Sequence, residues 1–196
     1  MSTTRMATLA DVALPRPGVL RDALLVVGAS LVTAVAAQIA IPLPFSPVPL
    51  TGQTFAVLLS GAVLGARRAF LAQVLYLLEG AAGLPFFAGG AAGAAILGGP
   101  TGGYLLAFPP AALVTGALAR AGWDRRFSTM LAAMLLGSVV IFGFGLAGLS
   151  RFVPTNRLLS LGLLPFLPGD LVKATLAAIA VPGVWRWLGR EGGIGR

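Results

Sequence analysis

A carboxylate and an ammonium group stand close together near the C-terminal end of an otherwise apolar chain. Asp170 and Lys173 lie in the run LPFLPGDLVKATLAAIAVP, where Pro168 and Gly169 mark the start of a helix. A spacing of three residues puts both side chains on one helical face, about one turn apart. Ionisable groups inside apolar segments are costly and mark functional sites by default. The pair therefore predicts a site for an anionic or amide-rich ligand.

A structural role for the same two residues stays open at this point. Asp170 is well placed to cap the start of its own helix, and the long side chain of Lys173 is able to extend to the membrane interface. A lysine near the positive end of the helix dipole is unfavourable, however. That position favours a partner for Lys173 other than the helix itself.

Most catalytic chemistry is missing from the chain. It contains no cysteine and no histidine, which excludes disulfides, thiol nucleophiles, imidazole acid–base catalysis and the usual zinc sites. It has no GxxxxGK[ST] phosphate loop and no HExxH sequence. We therefore expect no enzyme activity, no resident cofactor and no metal site. If the chain moves a substrate against a gradient, the energy must come from a partner or an ion.

The composition is that of a membrane protein. Of the 196 residues, 57% are hydrophobic and 10% are charged, whereas soluble domains average about 25% charged residues. The apolar blocks run over 22–41, 53–66, 69–83, 103–119, 128–149 and 164–185. They predict an all-α integral membrane protein with six transmembrane helices. A re-entrant hairpin over 53–83 is the alternative for the two short blocks, and it is disfavoured because it would bury Arg67 and Arg68 in the bilayer.

The positive charges lie between the apolar blocks, on alternate connections. Three of the 14 Lys and Arg residues lie in or near the connection between the last two blocks, namely Arg151, Arg157 and Lys173. The remaining Lys and Arg residues lie on the opposite side. The positive-inside rule makes the arginine-rich side cytoplasmic, and an even number of crossings puts both termini there. Nucleic acid is disfavoured as a partner, because it needs one basic face on a soluble fold.

These assignments give the expected domain organisation. Residues 1–21 form a cytoplasmic N-terminal tail, 22–189 form the transmembrane domain, and 190–196 form a cytoplasmic C-terminal tail. The first apolar block is longer than the apolar region of a signal peptide, so we expect it to be retained as a helix. Multi-pass insertion in the cytoplasmic membrane of the cell follows.

Two connections on the outer side have unusual compositions. Residues 41–53, IPLPFSPVPLTGQ, carry prolines at nearly alternating positions, which predicts an extended, non-helical segment. Residues 84–105 are rich in glycine but keep several large apolar side chains. A flexible linker is the alternative there, yet linkers are normally polar. The composition favours a packed lid or pocket wall.

Two stretches of the chain resemble the BioY family. The first is GLPFFAGG followed by GPTGGY, and the second is PGDLVK at the start of the last helix; the similarity extends over residues 24–182. That family comprises the biotin-specific substrate-binding components, or S components, of energy-coupling-factor (ECF) transporters. The resemblance implies a six-helix protein of the cell membrane that holds biotin in a pocket near the outer surface, covered by loops. It also implies partners, namely a transmembrane coupling subunit and two ATPase subunits.

The resemblance further implies which residues hold the ligand. Asp170 and Lys173 match the charged pair of the family's last helix, and Phe87, Gly89 and Gly90 match its pocket wall. Our hypothesis is that Asp170 accepts from a ligand N–H and that Lys173 pairs with a ligand oxygen. The remaining contacts are expected from Phe86, Phe87 and Tyr104 on the ring or chain of the ligand, and from Gln53 or Thr51 as a neutral polar contact.

Small residues recur every four positions in the first helix. Ala29, Thr33 and Ala37 form one row, and such rows permit the close approach of another helix. Packing within the chain is one interpretation, and docking of the coupling subunit is the sharper one that the resemblance favours. Two rival functions also stay open: an S component for a different vitamin, and a membrane scaffold protein that binds no small ligand.

Overall fold

The structure is a computed structural model that describes residues 7–191, and nearly all its regular structure is helical. All six apolar blocks are helical over most of their length, which confirms the predicted all-α fold class. The outer parts of the two predicted tails, 1–6 and 192–196, lie outside the described residues. The helices are α1 (Leu9–Ala13), α2 (Val19–Gln38), α3 (Gln53–Leu64), α4 (Ala66–Ala81), α5 (Gly102–Leu106), α6 (Phe108–Arg120), α7 (Phe127–Leu149), α8 (Leu158–Gly162) and α9 (Leu167–Glu191).

The proline-rich connection is extended, as predicted, and it folds back on itself as a short ribbon. Strand β1 (Ala40–Ile41) pairs antiparallel with β2 (Leu50–Thr51). Between the strands, the hydroxyl of Ser46 donates a hydrogen bond of 2.7 Å to the carbonyl oxygen of Leu161. The ribbon therefore lies beside the start of α3 and is fastened to the end of α8.

The outward-facing surface of the helices is apolar. Val19 is 90% exposed, Val35 69% and Val139 66%, and so much exposed hydrocarbon requires a lipid environment. The chain is therefore an integral membrane protein. Four helical stretches are long and apolar enough to cross a bilayer, namely Val19–Gln38, Gly102–Arg120, Phe127–Leu149 and Thr155–Gly189, and α3 is apolar but shorter. Six crossings stay a prediction.

One predicted helix is in fact two. The block 103–119 divides at Ala107 into α5 and α6. Pro109 and Pro110 lack the amide hydrogens that would continue the hydrogen bonding of α5, and proline is well suited to the first turn of a new helix. The division leaves α5 as a single turn beside α7.

Helix contacts in the interior are made through glycine. A Cβ atom built on Gly116 of α6 would lie 2.4 Å from the amide nitrogen of Ala66, and one on Gly61 of α3 would lie 2.7 Å from the carbonyl oxygen of Ala112. Neither position has room for a side chain. The backbones of α3, α4 and α6 are therefore in direct contact, as is common for helices in membranes.

The small-residue row of α2 also faces the interior. Thr33 and Ala37 are completely buried, and Gln73 of α4 donates a hydrogen bond of 3.2 Å to the Thr33 hydroxyl. Ala29, at the edge of the row, is half-buried. This corrects the expectation that Thr33 and Ala37 are presented to a separate subunit: both pack within the chain, because they let α4 approach α2 closely.

Charged residues gather at one end of the bundle, which we call the arginine end; it comprises residues 7–22, 65–68 and 120–126. Asp11 of α1 accepts hydrogen bonds from Arg68 at 2.7 Å and from Arg21 at 2.9 Å, and Arg68 also pairs with Asp22 at 2.9 Å. Burial acts to raise the pKa of Asp11, but hydrogen bonds from Arg68, Thr8 and Arg21 outweigh it and hold that pKa well below its usual value. α1, which the sequence did not predict, is thereby fastened to α2 and α4.

A second cluster at the arginine end fixes the last helix. Asp124 is completely buried and accepts hydrogen bonds from the indole N–H of Trp185 at 2.6 Å and from Arg125 at 3.2 Å. The Arg125 guanidinium lies 3.3 Å above the Trp185 ring, a cation–π contact. Burial raises the pKa of Asp124 in spite of these partners. All four ion pairs found among the described residues lie at this end.

The glycine contact of α6 yields a prediction about stability. Gly116→Ala places a methyl group against the backbone of Ala66, so α4 and α6 must separate, at a cost of about 1–3 kcal/mol. Gly28→Ala on α2 is the matched control, because a Cβ atom there meets nothing within 4 Å. Thermal unfolding of the purified variants should show a lower midpoint for Gly116→Ala only. Equal midpoints would contradict the backbone contact.

Candidate functional site

A cavity of about 240 Å³, which we call the ligand cavity, lies at the end of the bundle away from the arginine end. This volume accommodates a small molecule, since about 10–15 Å³ is enough for one water. Its walls come from the ribbon, from α3, α5, α6 and α7, from the glycine-rich loop and from the start of α9. Most of the lining is apolar, and the polar side chains in it are Thr51, Gln53, Thr54, Thr101, Tyr104, Asp170 and Lys173.

Lys173 points into the protein. Its Nζ donates a hydrogen bond of 2.6 Å to the carbonyl oxygen of Thr51 and one of 3.1 Å to the hydroxyl of Thr54. The side chain therefore does not extend to the membrane interface, the alternative that its sequence position left open. An ammonium group has three donors, so one N–H is left for a ligand.

Asp170 is buried at the wall of the ligand cavity, with 8% of its surface exposed. Its amide already donates to the Phe166 carbonyl oxygen at 2.9 Å, so the residue lies inside α9 rather than at its cap. Within the described residues its carboxylate has no ion-pair partner within 4.0 Å. A buried carboxylate without a cation in contact is costly. The hydroxyl of Ser138 on α7 is a polar neighbour of this carboxylate, and Asp170 lines the cavity, where a ligand donor is able to reach it.

A chain of hydrogen bonds ties the ribbon to the glycine-rich loop behind this wall. The Thr51 hydroxyl donates to Gln53 Oε1 at 3.0 Å, Gln53 Nε2 donates to the Tyr76 hydroxyl at 2.5 Å, and that hydroxyl donates to the Phe86 carbonyl oxygen at 3.0 Å. Gln53 and Tyr76 are both buried. These hydrogen bonds hold the ribbon, α4 and the glycine-rich loop at fixed distances around the cavity.

Aromatic rings form the apolar side of the cavity. Phe87 is 1% exposed, and its ring fills the space beside Gly80. A Cβ atom built on Gly80 would lie 2.4 Å from the Phe87 ring. The ring of Tyr76 meets Phe87 edge-on at 5.7 Å and stacks on Phe108 at 6.2 Å. The packing of the Phe87 ring therefore fixes the position of this part of the glycine-rich connection.

Two further polar residues lie outside the ligand cavity. Gln38, at the end of α2, donates from Nε2 to the Pro85 carbonyl oxygen at 3.3 Å and so fastens the glycine-rich loop to that helix. Glu79 of α4 accepts a hydrogen bond from Ser30 of α2. Glu79 is not among the residues that line the ligand cavity.

The structure brings most of the predicted ligand residues together. Those found in the cavity wall are Thr51, Gln53, Phe87, Tyr104, Asp170 and Lys173. Phe86, Gly89 and Gly90 are not in that lining. The two glycines are exposed and have φ of +66° and +78°, a region that favours glycine, and they form the turn in which the Gly90 amide donates to the Phe87 carbonyl oxygen at 3.1 Å. The turn thus adjoins Phe87 in the cavity wall.

Other lining residues escaped sequence reasoning. These are chiefly Thr54, Phe108, Phe142 and Phe166. Thr54 carried a weak signal, because it follows Gln53 at the start of α3 and lies three residues after Thr51. Phe142 carried none, since α7 is apolar on every side and its inward face has no distinguishing pattern.

Comparison with known proteins identifies the family of this chain. The BioY family model matches residues 3–190. A probable biotin transporter BioY of Pyrococcus horikoshii is 43% identical over 147 residues, which cover 75% of this chain and 85% of the relative. A biotin transporter BioY of Thermotoga maritima is 41% identical over 140 residues, covering 71% and 82%. A crystal structure of the S-component for biotin from an ECF-type ABC transporter aligns with a TM-score of 0.76 and 25% identity, over 85% of this chain and 92% of that one.

This helical bundle, with its cavity at one end, has the same fold as the S component in that crystal structure. Within that class, the chain belongs to the BioY family, whose model spans almost all of it. The family is one of transporter components rather than enzymes.

The hydrogen bonds of two tyrosines yield a prediction about the loops. Tyr76→Phe removes the link to the Phe86 carbonyl oxygen, and Tyr104→Phe removes the bond of 2.7 Å from Tyr104 to the Gly162 carbonyl oxygen. Each loss is worth about 1–3 kcal/mol, since a buried partner is left unpaired. Hydrogen–deuterium exchange should quicken around 84–91 in the first variant and around 158–166 in the second. Faster exchange of the same segment in both would contradict the separate tethers.

Proposed function

We propose that this chain binds biotin and serves its uptake as the S component of an ECF transporter. Membership of the BioY family supports the proposal, as do relatives named as biotin transporters and a similar structure titled as the S-component for biotin. The observation that carries it is the ligand cavity, in which the carboxylate of Asp170 and one N–H of Lys173 are the charged groups open to a ligand.

The chemistry of biotin fits the groups around the cavity. Its ureido ring offers two N–H donors and a carbonyl oxygen, its fused rings are apolar and contain sulfur, and its valeryl chain ends in a carboxylate. Asp170 accepts from a ligand N–H and Lys173 pairs with a ligand oxygen. Phe87 and Tyr104 pack against the rings or the chain. The second N–H of the Gln53 amide is the neutral polar contact.

Desolvation makes such a site selective. Biotin satisfies the buried charges, whereas an analogue that lacks one matching group leaves a desolvated partner unpaired. That deficit costs about 1–3 kcal/mol or more for each missing group. Gly89 and Gly90 contribute through the turn next to Phe87, and Phe86 through its carbonyl oxygen, which accepts from Tyr76, rather than by touching the ligand.

Insertion in the cytoplasmic membrane with six crossings is the topology that we propose. The arginine end and both termini lie in the cytoplasm, and the ribbon and the glycine-rich loop cap the ligand cavity on the outer side. The excess of arginine in the connections at the arginine end supports this orientation. The chain has no ATPase of its own and works with a coupling subunit and ATPase subunits. Of the α2 row, Ala29 is the member that a partner is able to reach.

The absence of cysteine makes this topology easy to test. Asn156→Cys and Arg126→Cys place single thiols at exposed positions in connections on opposite sides. A membrane-impermeant maleimide should label Asn156→Cys in intact cells and Arg126→Cys only after the membrane is permeabilised. The reverse pattern would contradict the proposed orientation.

Binding of tritiated biotin to detergent-purified variants tests the ligand site. Asp170→Asn removes a charge and Lys173→Ala removes a donor, and each should weaken binding about 5- to 150-fold, as the loss of about 1–3 kcal/mol requires. Glu79→Gln is the matched control, because it neutralises a carboxylate that lies outside the cavity lining, and it should leave the affinity unchanged.

Two results would overturn the assignment. Affinity for biotin close to that of the unmodified chain in both Asp170→Asn and Lys173→Ala would remove these residues from the site. A competition panel with thiamine and riboflavin addresses the rival functions: tighter binding of another vitamin would make the chain an S component for that vitamin, and no saturable binding at all would favour a scaffold.

A further inference from the structure

A second hollow lies on the membrane-facing side of the chain. It is an open groove of about 630 Å³ between α5, the turn before α5 and the C-terminal half of α7. It shares no lining residue with the ligand cavity. α5 and α7 separate the two, because Tyr104 and Ile141 face the cavity while Gly103 and Val140 face the groove.

Glycine creates the depth of this groove. Its lining alternates large apolar side chains, such as Phe144, with glycines along both walls. At Gly143 of α7 a Cβ atom would meet nothing within 4 Å, so the space above it belongs to the groove and not to packing within the chain. Gly103 and Gly148 are in backbone contact, with 2.8 Å from a Cβ atom on Gly148 to the Cα of Gly103, and they form the floor.

The groove is apolar over most of its length and has a cation at one end. Arg151 is the charged residue in its lining and lies just beyond the end of α7. It is exposed, and within the described residues no carboxylate forms an ion pair with it. From Val139 to Arg151 the chain rises about 18 Å, close to the roughly 15 Å depth of one leaflet of the hydrocarbon core.

We propose that this groove is a binding site for one anionic phospholipid. An acyl chain lies along α7 over Gly143, and the phosphate of the headgroup pairs with the Arg151 guanidinium. The site matches this ligand because the apolar part is as long as one leaflet is deep, and the charge lies where the headgroup layer would be. A free phosphate would make no use of the apolar length, and the groove offers no other ionisable group to a polar ligand.

Native mass spectrometry of the full chain, released from detergent, tests the proposal with dioleoyl phosphatidylglycerol and dioleoyl phosphatidylcholine as probes. One phosphatidylglycerol per chain should persist under conditions that remove phosphatidylcholine. Gly143→Leu fills the groove and Arg151→Gln removes its charge, and each should lower the lipid-bound fraction about fivefold or more. The matched controls are Gly28→Leu on the open face of α2 and Arg157→Gln in the same connection as Arg151, and neither should change that fraction.

Several outcomes would overturn the site. Equal retention of both lipids would mean that Arg151 does not select the headgroup. Equal losses in Gly28→Leu and Arg157→Gln would mean that the lipid is ordinary boundary lipid. A dimer that Gly143→Leu dissociates would assign the groove to a second copy of the chain. Arg151 is exposed, so Arg151→Gln still tests the site if Gly143→Leu fails to fold. Retention of biotin by the Arg151→Gln protein shows that its helical bundle is intact.

Discussion

The hydrogen bond of 2.6 Å from Lys173 to the carbonyl oxygen of Thr51 joins the last helix to the ribbon across the ligand cavity. An ammonium group in this apolar setting must find acceptors, so the ribbon must stay within reach of α9. Thr51 is held in turn by its bond to Gln53, and Gln53 by Tyr76. The charge of Lys173 is thus linked to the ribbon and, through Gln53 and Tyr76, to the glycine-rich loop. Among the described residues, Asp170, one turn earlier, is left without a cation in contact. The site is open to a ligand because its own charges do not neutralise each other directly.

The two ends of the bundle use charge in opposite ways. At the arginine end, carboxylates and guanidinium groups pair directly, and Asp11 and Asp124 hold short segments onto the helices. At the ligand end, the charges are kept apart and face a cavity. Between the ends, contacts such as the one at Gly116 bring helix backbones together without polar groups. The ligand cavity therefore lies at one end of the bundle, while the sides of the helices expose apolar side chains to lipid.

Much of this arrangement was predictable from the sequence, and the exceptions have two physical causes. Apolar blocks predicted the helices, prolines predicted the extended segment, and the rarity of charge pointed to Asp170 and Lys173. In a membrane helix every face is apolar, so the pattern does not reveal which side is buried. That is why Phe142 was missed and why Thr33 was assigned to an outer surface that it does not occupy. The break at Ala107 and the turn made by Gly89 depend on local backbone geometry that composition alone does not fix.

We propose that the ligand cavity beneath the tethered loops holds one biotin per chain. Equilibrium dialysis of the purified full chain against labelled biotin, with the protein concentration fixed by amino-acid analysis, measures this directly. We expect saturation at one biotin per chain and complete displacement by unlabelled biotin. Binding that does not saturate, or a stoichiometry near zero in protein that unfolds cooperatively on heating, would contradict it.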